Sequence, residues 1–279
     1  MDLSVITVTH HSKDYIEDQI FSLMMSCFRL RFEHIIVDNA SMDGTPALIE
    51  ERFSKQVTLI KNDQNVGFSK ANNQALQIAK GRYLLFLNPD MCIKEGDLDT
   101  FIKWMDERPD VGLAGCKLLD PMGKECPDGQ PRPFPRLGGS LLWLLRLDSQ
   151  KKQKRPDVSP PEEVEAVKGA FLLVRREVLE KLGWGFDPRY FLLFEDTDLC
   201  REVNRLGYKN IHYPNLACVD YVSRSFALKS GKWIYREFTK SMLAYFRKWH
   251  PWYQSMLIAM AIPIGLLLRL SSKNHPVKK

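Results

Sequence analysis

The chain has 279 residues, of which 44% are hydrophobic and 27% charged, with a net charge of +6. That balance excludes a disordered chain and suits one large α/β domain, or a catalytic domain with appended pieces. Much of the excess charge sits at 151–155 and 273–279, where it suits anionic lipid, diphosphate substrates or nucleic acid, or simply solvated loops.

Residues 3–9 (LSVITVT) are β-branched and apolar, which predicts a buried strand at the very start and no signal peptide. Helical spacing over 14–27 is followed by a strand at 34–37 ending in Asp38-Asn39-Ala40-Ser41. Thr45-Pro46 opens a helix, with Pro at a tolerated first-turn position. A third strand is expected at 57–61, a helix at 69–79 stopped by Gly81, and a fourth strand at 83–87 ending in Asn88-Pro89-Asp90. A helix at 97–107 and a strand at 111–116 follow. Residues 120–163 are rich in Pro, Gly and charge around an apolar stretch at 141–147, and read as a long, partly mobile insertion over the site. Beyond it come a strand pair or strand and turn at 166–175, a helix at 196–206, a strand at 209–213 and a long helix at 229–249. The segment 256–268 (MLIAMAIPIGLLL) is apolar throughout, too short to span a bilayer, and flanked by Trp249, Trp252 and Tyr253 before it and Arg269 and Lys273 after it. Those flanks suit the membrane interface.

Strand–helix alternation predicts a doubly wound, mostly parallel sheet, in which ligands bind beyond the carboxyl ends of the strands. Thr9, Asp38, Asn39 and Asp90 fall at those ends. Asp38 can accept an imide N–H of uracil or thymine, although Asp38-Asn39 and Asp43-Gly44 equally build turns. Asp90 can hold Mg²⁺ or Mn²⁺, with the other ligands from diphosphate and water. Gly67 allows close backbone approach, and Asn72-Asn73 can bond ribose or sugar hydroxyls, or belong to a helix cap. Glu195, Asp196 and Asp198 crowd a helix start after an aromatic stretch; they can cap it, or divide the work of a general base. The six cysteines form no C-x-x-C pair and read as reduced thiols of a cytoplasmic protein.

Five ordered motifs, V-D-N-A-S-x-D-G-T, N-x-G-F-x-x-x-N-N, F-L-N-P-D, G-A-F-L-x-x-R and G-F-D-x-x-Y-F-x-x-x-E-D-x-D-L-C-R, lie within residues 3–226. Together they resemble the family 2 glycosyltransferases of GT-A fold, in particular the rhamnosyltransferase-like branch. The resemblance implies that Asp38 reads the base with Thr9 nearby, and that Asn39, Gly67, Asn73 and Asn88 serve the donor. Asp90 would be the metal-binding end of the D-x-D element, with Asn88 in place of its first Asp. Asp196 would be the catalytic base, Glu195 its support, and the anomeric centre would invert by direct displacement. Ser69-Lys70-Ala71 replaces the small residues usual before Asn72-Asn73. Asp220 stands where the family usually has a metal-binding His, with Ser225 at the serine of that pattern, and is expected as a second metal ligand.

The expected architecture is a GT-A catalytic domain at 1–228, with its insertion at about 120–163. Helices at 229–279 would carry the membrane-associating segment and a basic tail. The expected activity transfers a sugar, best rhamnose, from a dTDP- or UDP-sugar to a lipid-linked saccharide in bacterial surface-polysaccharide assembly. Mg²⁺ or Mn²⁺ would assist. The enzyme would lie peripherally on the cytoplasmic face of the inner membrane; no nucleic acid is expected as a partner, and a homo-oligomer is left open. A catalytically weak assembly subunit and a nucleotidyltransferase are the alternatives, the latter disfavoured because 9–13 (THHSK) lacks a Gly-rich phosphate loop.

Overall fold

A computed structural model describes residues 1–95, 97–126, 131–147, 160–221 and 230–271. The basic clusters at 151–155 and 273–279, Ser225, and 127–130 and 148–159 of the loop expected to be mobile lie outside the described residues.

The elements run β1 (Leu3–Thr9), α1 (Ile16–Ser26), β2 (Phe32–Asn39), α2 (Thr45–Phe53), β3 (Val57–Asn62), α3 (Phe68–Leu76), β4 (Tyr83–Leu87), β5 (Met91–Glu95) and α4 (Leu98–Asp106). They continue with β6 (Val111–Leu119), α5 (Leu137–Leu144), β7 (Glu162–Glu163), β8 (Phe171–Arg175), α6 (Arg176–Leu182), α7 (Glu195–Arg205) and β9 (Lys209–Asp220). The chain closes on α8 (Gly231–Trp249) and α9 (Trp252–Ser271). The nine-stranded sheet has the order β3-β2-β1-β4-β8-β6-β9-β5, with β7 on β9. Parallel pairing joins β1 to β2 and β4, β2 to β3, and β6 to β9; β8, β5 and β7 run against their neighbours. Six of the nine strands therefore point one way, as the α/β alternation predicts.

Both faces of the sheet are covered, which is why β1 and β4 are continuous apolar runs. Tyr83, Leu85 and Leu87 face α1 and α4, through Leu23, Phe101 and Met105. Leu84 and Phe86 face α3, α6 and α7, through Ala71, Ala75, Val178 and Val203. Local chemistry sets the element ends. Pro46 sits in the first turn of α2, Asp97 caps α4 by accepting from Thr100 N at 2.6 Å, and α6 stops on the left-handed Gly183.

Gly81 does not stop a helix: α3 ends at Leu76, and a Cβ on Gly81 would lie 2.3 Å from the Ser4 amide nitrogen, so glycine there lets the chain press against β1. β5, α6 and the short β7 have no counterpart in the sequence reading. The strand expected at 209–213 extends to Asp220, passing Pro214 where its pairing with β6 jumps from Tyr213 to Ala217. All six cysteines are free.

A third core joins α5 of the insertion to α8 and α9 through Leu144, Tyr235, Met242, Tyr245, Ile258 and Ala261. α9 docks closely at Gly265, where a Cβ would lie 2.5 Å from the Leu144 carbonyl oxygen. Arg269 fastens it further, donating to Leu144 O (2.8 Å) and Trp143 O (3.1 Å) while lying over the Trp143 ring. The helix has 20 residues, about 30 Å at 1.5 Å per residue. That exceeds the apolar run read from the sequence, because its polar ends are helical too. By length and composition it could cross a bilayer. One face is nevertheless packed on protein, and the other exposes Met256, Met260, Ile264, Leu267 and Leu268.

Candidate active site

The carboxyl ends of β1, β2 and β4 open into a cavity of about 990 Å³. On its sheet side lie His10, Ser12, Asn39, Asn65, Gly67, Asn88 and Asp90. Facing them are Lys168 and Gly169 before β8, Asp220 at the end of β9, and Glu195, Asp196 and Thr197 at the start of α7.

Strand-end polar residues divide into those that face the cavity and those that hold it in shape. Asp38 is buried, accepting from Thr9 Oγ1 (2.8 Å) and Ser41 N (2.8 Å), and neither Thr9 nor Asp38 lines the cavity. Asn39 lines it and is held by Asn62 Nδ2, which donates to its Oδ1 at 2.9 Å. His10 contacts the Asn39 carbonyl at 2.9 Å. Asn65 Oδ1 accepts from Gly67 N (2.9 Å), shaping a turn in which Gly67 has φ of 90°. Any Cβ there would meet the Phe191 ring at 2.6 Å, so glycine lets the donor-side turn touch the segment leading to α7. Asn73 does not reach the cavity: its side chain clamps Phe186, donating to O (2.7 Å) and accepting from N (2.9 Å).

Asp90 and Asp220 meet because Met91 pairs with Asp220 across β5 and β9, and Tyr221 N donates to Asp90 O at 3.0 Å. Lys168 Nζ donates to Asp220 Oδ2 at 2.8 Å. Burial, and then the Asp220 charge, push the Asp90 carboxyl up to about 6. Two neighbouring hard oxygen donors with excess negative charge fit Mg²⁺ or Mn²⁺. No group of three or more His, Cys, Asp or Glu is placed to hold a metal ion among the described residues, so such an ion would draw its remaining ligands from substrate and water.

Glu195 and Asp196 enter the cavity over a strained backbone. Leu193 and Phe194 both have φ of 69°, which is costly for bulky side chains, and α7 starts without a side-chain cap. Of these acids it is Asp196 that meets a first-turn amide, Thr197 N, from inside the helix. Asp196 collects four donors: Arg132 Nη2 (2.6 Å) and Gly169 N (2.8 Å) on Oδ2, Thr197 N (2.6 Å) and Thr197 Oγ1 (3.1 Å) on Oδ1. Four donors with no acceptor suit a carboxylate. Glu195 is the opposite case. Its Oε2 is buried with no hydrogen-bond partner, and burial, reinforced by Asp196, raises its carboxyl to about 8. Asp198 does not line the cavity.

Gly169 is needed beside Asp196. A Cβ there would lie 2.9 Å from Asp196 Cβ and 3.0 Å from its Oδ2. Gly169→Ala is expected to push the carboxylate aside and lower turnover on the order of 10²-fold, the usual cost of a misplaced group. Thermal melting should change little by comparison. A variant with wild-type turnover would mean that the position of Asp196 does not limit the reaction.

The profile of the Glycosyl transferase family 2 matches residues 4–183. The chain belongs to this family. Among its relatives, the N-acetylglucosaminyl-diphospho-decaprenol L-rhamnosyltransferase of Mycobacterium tuberculosis is 26% identical over 80% of this chain and 77% of its own. Rhamnosyltransferase WbbL of Escherichia coli is 29% identical over 60% of this chain and 66% of its own. Staphylococcus aureus TarS 1–349, solved with UDP-GlcNAc, superposes with a TM-score of 0.62 at 16% identity, over 98% of this chain and 73% of its own. The mannosyltransferase PcManGT of Pyrobaculum calidifontis, solved with GDP-Man and Mn²⁺, gives 0.57 at 21% identity, over 99% and 76%. These likenesses show the GT-A fold, and the chain is a family 2 glycosyltransferase.

In this glycosyltransferase several site residues escaped the sequence reading. Arg132 is the chief one. It lies in 131–136 (PRPFPR), whose alternating Pro and cation was the available signal inside an otherwise irregular insertion. Backbone bonds in both directions between Arg132 and Ala166 bring it to Asp196. Lys168 precedes the G-A-F-L motif and Gly169 opens it, but only the folded chain reveals that they contact Asp220 and Asp196.

Proposed function

We propose that the chain is an inverting, divalent-metal-dependent rhamnosyltransferase. It would use dTDP-rhamnose, or another dTDP- or UDP-sugar, and a lipid-linked saccharide acceptor in surface-polysaccharide assembly. The observation that carries this reading is the meeting of two acid pairs, Asp90–Asp220 and Glu195–Asp196, in one cavity beyond the strand ends. The rhamnose assignment draws on the two rhamnosyltransferase relatives.

The donor lies along Asn39, Gly67 and Asn88, with Asp38 and Thr9 fixing the strand ends behind the base. Asn73 supports this wall through Phe186. Asp90 and Asp220 hold the metal, which when bound offsets the charge of the leaving diphosphate. The acceptor hydroxyl approaches Asp196 in place of Thr197 Oγ1, whose 3.1 Å contact is the longest of the four and can rotate away. The hydroxyl proton passes to Asp196, the oxygen bonds to the anomeric carbon, and the bond from that carbon to the diphosphate breaks with inversion. Glu195, whose carboxyl burial and then the Asp196 charge push up, supports Asp196 from the same helix turn.

The test is transfer from dTDP-rhamnose and a panel of UDP-sugars to a GlcNAc-diphosphoryl lipid, with Mn²⁺ or with chelator. Transfer from dTDP-rhamnose, lost on chelation and inverted by NMR, is expected. Transfer from a UDP-sugar alone overturns the rhamnose assignment, and indifference to chelator overturns the metal. Asp220→Ala should weaken Mn²⁺-dependent nucleotide binding by about tenfold or more, equal to about 1.4 kcal/mol. Asp220→His should retain most of it, because imidazole also binds Mn²⁺. Equal affinity of Asp220→Ala and wild type by calorimetry counts against the ligand role.

The exposed face of α9 is read as an interfacial anchor on the cytoplasmic side of the bacterial inner membrane. Deleting α9 would uncover the third core, so substitution on its outer face is the cleaner test. Met260→Glu with Ile264→Glu should abolish co-sedimentation with anionic liposomes while nucleotide binding persists. Sedimentation of this double variant at the wild-type level would remove α9 from the interface.

A further inference from the structure

The cavity is larger than its polar half, and its far wall is built differently. The segment 191–196 divides the two. Phe191 O accepts from Phe68 N at 2.8 Å on the donor side. Leu192 O accepts from Ser241 Oγ of α8 at 2.8 Å on the other, and the Phe194 ring meets Phe238 edge-on, with centroids 5.2 Å apart. Beyond that divide the lining is Trp143 of α5 with Trp233, Phe238 and Met242 of α8, and Leu193. Trp143 and Phe238 are in ring contact at 4.3 Å. The strand-end half of the cavity takes the nucleotide sugar on the reading above, and this wall lies across the 191–196 divide from it.

Two further features give the wall a direction. Two cations line the cavity: Arg132, bonded to Asp196, and Arg136, which pairs with Glu165 (3.2 Å) and immediately precedes α5, the helix of Trp143. At the other end Trp143 is both cavity lining and the seat of Arg269, which lies 4.5 Å over its ring. Tyr235, one turn from Phe238, donates through its hydroxyl to Ile262 O of α9 at 2.7 Å. The apolar wall thus continues into the helix whose outer face exposes Met256, Met260, Ile264 and Leu267. Acid pair, cations, apolar wall and exposed apolar helix follow one another in that order.

We propose that this wall is the subsite for the hydrocarbon of the acceptor. Trp143, Trp233, Phe238 and Met242 take the first units of a lipid chain attached through a diphosphate, with Arg132 and Arg136 facing that diphosphate and α9 leading the rest of the chain to the bilayer. The proposal rests on the reading of the chain as a transferase with a lipid-linked acceptor. It goes further, because it assigns the lipid to residues inside the cavity and not to the membrane alone. Burying hydrocarbon against such a wall contributes about 0.8 kcal/mol per methylene, and the paired charges fix the head group.

The test uses the full-length protein without vesicles and two probes sharing one head group, farnesyl diphosphate and isopentenyl diphosphate, both below micelle-forming concentration. Calorimetry is expected to show farnesyl diphosphate bound at least about tenfold more tightly, a conservative return for ten added carbons. Trp233→Glu should abolish that preference. Phe238→Glu should do the same, and serves as a second variant if the first misfolds; melting temperature and Mn²⁺–nucleotide affinity report folding in each. Met260→Glu, on the outer face of α9, should keep the preference. Equal binding of the two probes by wild type overturns the proposal. So does a preference that survives both wall substitutions, or one lost in Met260→Glu, which would locate the lipid on the outside of the helix. Failure of every dTDP or UDP nucleotide to bind with Mn²⁺ would instead sink the underlying reading of the donor site.

Discussion

Asp196→Asn is expected to lower turnover by roughly 10²–10⁴-fold, the usual contribution of a positioned general base, while nucleotide affinity stays near wild type. The asparagine keeps the shape of the side chain and removes the proton acceptor. It has a second consequence visible in the geometry. Four donors converge on the carboxylate, two on each oxygen. An amide NH₂ must therefore face either Arg132 and Gly169 or the two Thr197 donors. That mismatch costs about 1–3 kcal/mol, so the melting temperature should fall moderately without loss of the fold. Glu195→Gln should cost less activity, since the amide keeps the shape of a carboxyl whose charged form burial already disfavours. The decisive measurement is single-turnover transfer at saturating donor. If Asp196→Asn transfers sugar at the wild-type rate, the base lies elsewhere, and Asp198 is a poor substitute because it is buried outside the cavity.

Lys248→Met is expected to destabilise the protein by about 3–5 kcal/mol, the cost of leaving a buried charge without its partner. Lys248 Nζ lies 2.7 Å from Asp198 Oδ2, 2.8 Å from Glu202 Oε1 and 3.2 Å from Asp187 Oδ2, joining α8 to α7. Without the cation Asp187 keeps Arg189 and Glu202 keeps Arg205. Asp198 retains only the neutral donors Trp249 Nε1 (2.6 Å) and Tyr190 Oη (3.1 Å). In a chain of this size that corresponds to a lower melting temperature on the order of 10 °C. Burial works against the Lys248 ammonium, but the hydrogen bonds to Asp198 and Glu202 outweigh it and hold its pKa above the ordinary value. A raised lysine pKa contributes stability fully below the unfolded value of about 10.4 and loses it as pH rises through the folded value. The gap between wild type and variant should therefore hold across neutral pH, narrow in alkali as Lys248 loses its proton, and narrow in acid as Asp198, whose carboxyl burial pushes up, gains one. A melting temperature within a degree or two of wild type would mean that the network contributes little.

The part of the site legible beforehand consists of residues that end strands or open helices. Asn39, Gly67, Asn88, Asp90 and the Glu195–Asp196 pair could be named because turn chemistry and apolar runs mark such positions locally, and all of them line the cavity. Asp38 and Asn73 show the limit of that reasoning. Both are polar and stand at suggestive positions, yet their side chains bond to Thr9 and Ser41, and to Phe186, respectively. A polar side chain has the same sequence signature whether it bonds a ligand or its own backbone.

The sequence by itself determined the elements and most of their ends. β1, β2 and β4 follow from apolar content with both faces buried, α2 from Thr45-Pro46, and the acid-bearing start of α7 from its motif. These are properties of neighbouring residues, carried by period and by backbone preference. Only the tertiary structure decided the rest. It inserted β8 antiparallel between β4 and β6, and it set β5 against β9 so that Asp90 meets Asp220. It carried Arg132 to a carboxylate 64 positions away, and laid α9 with one face on α5 and α8 and the other uncovered. Each of these depends on strand register or on side chains meeting across long separations. The energy of such a contact belongs to the pair and not to either residue, so neither residue announces it in the chain.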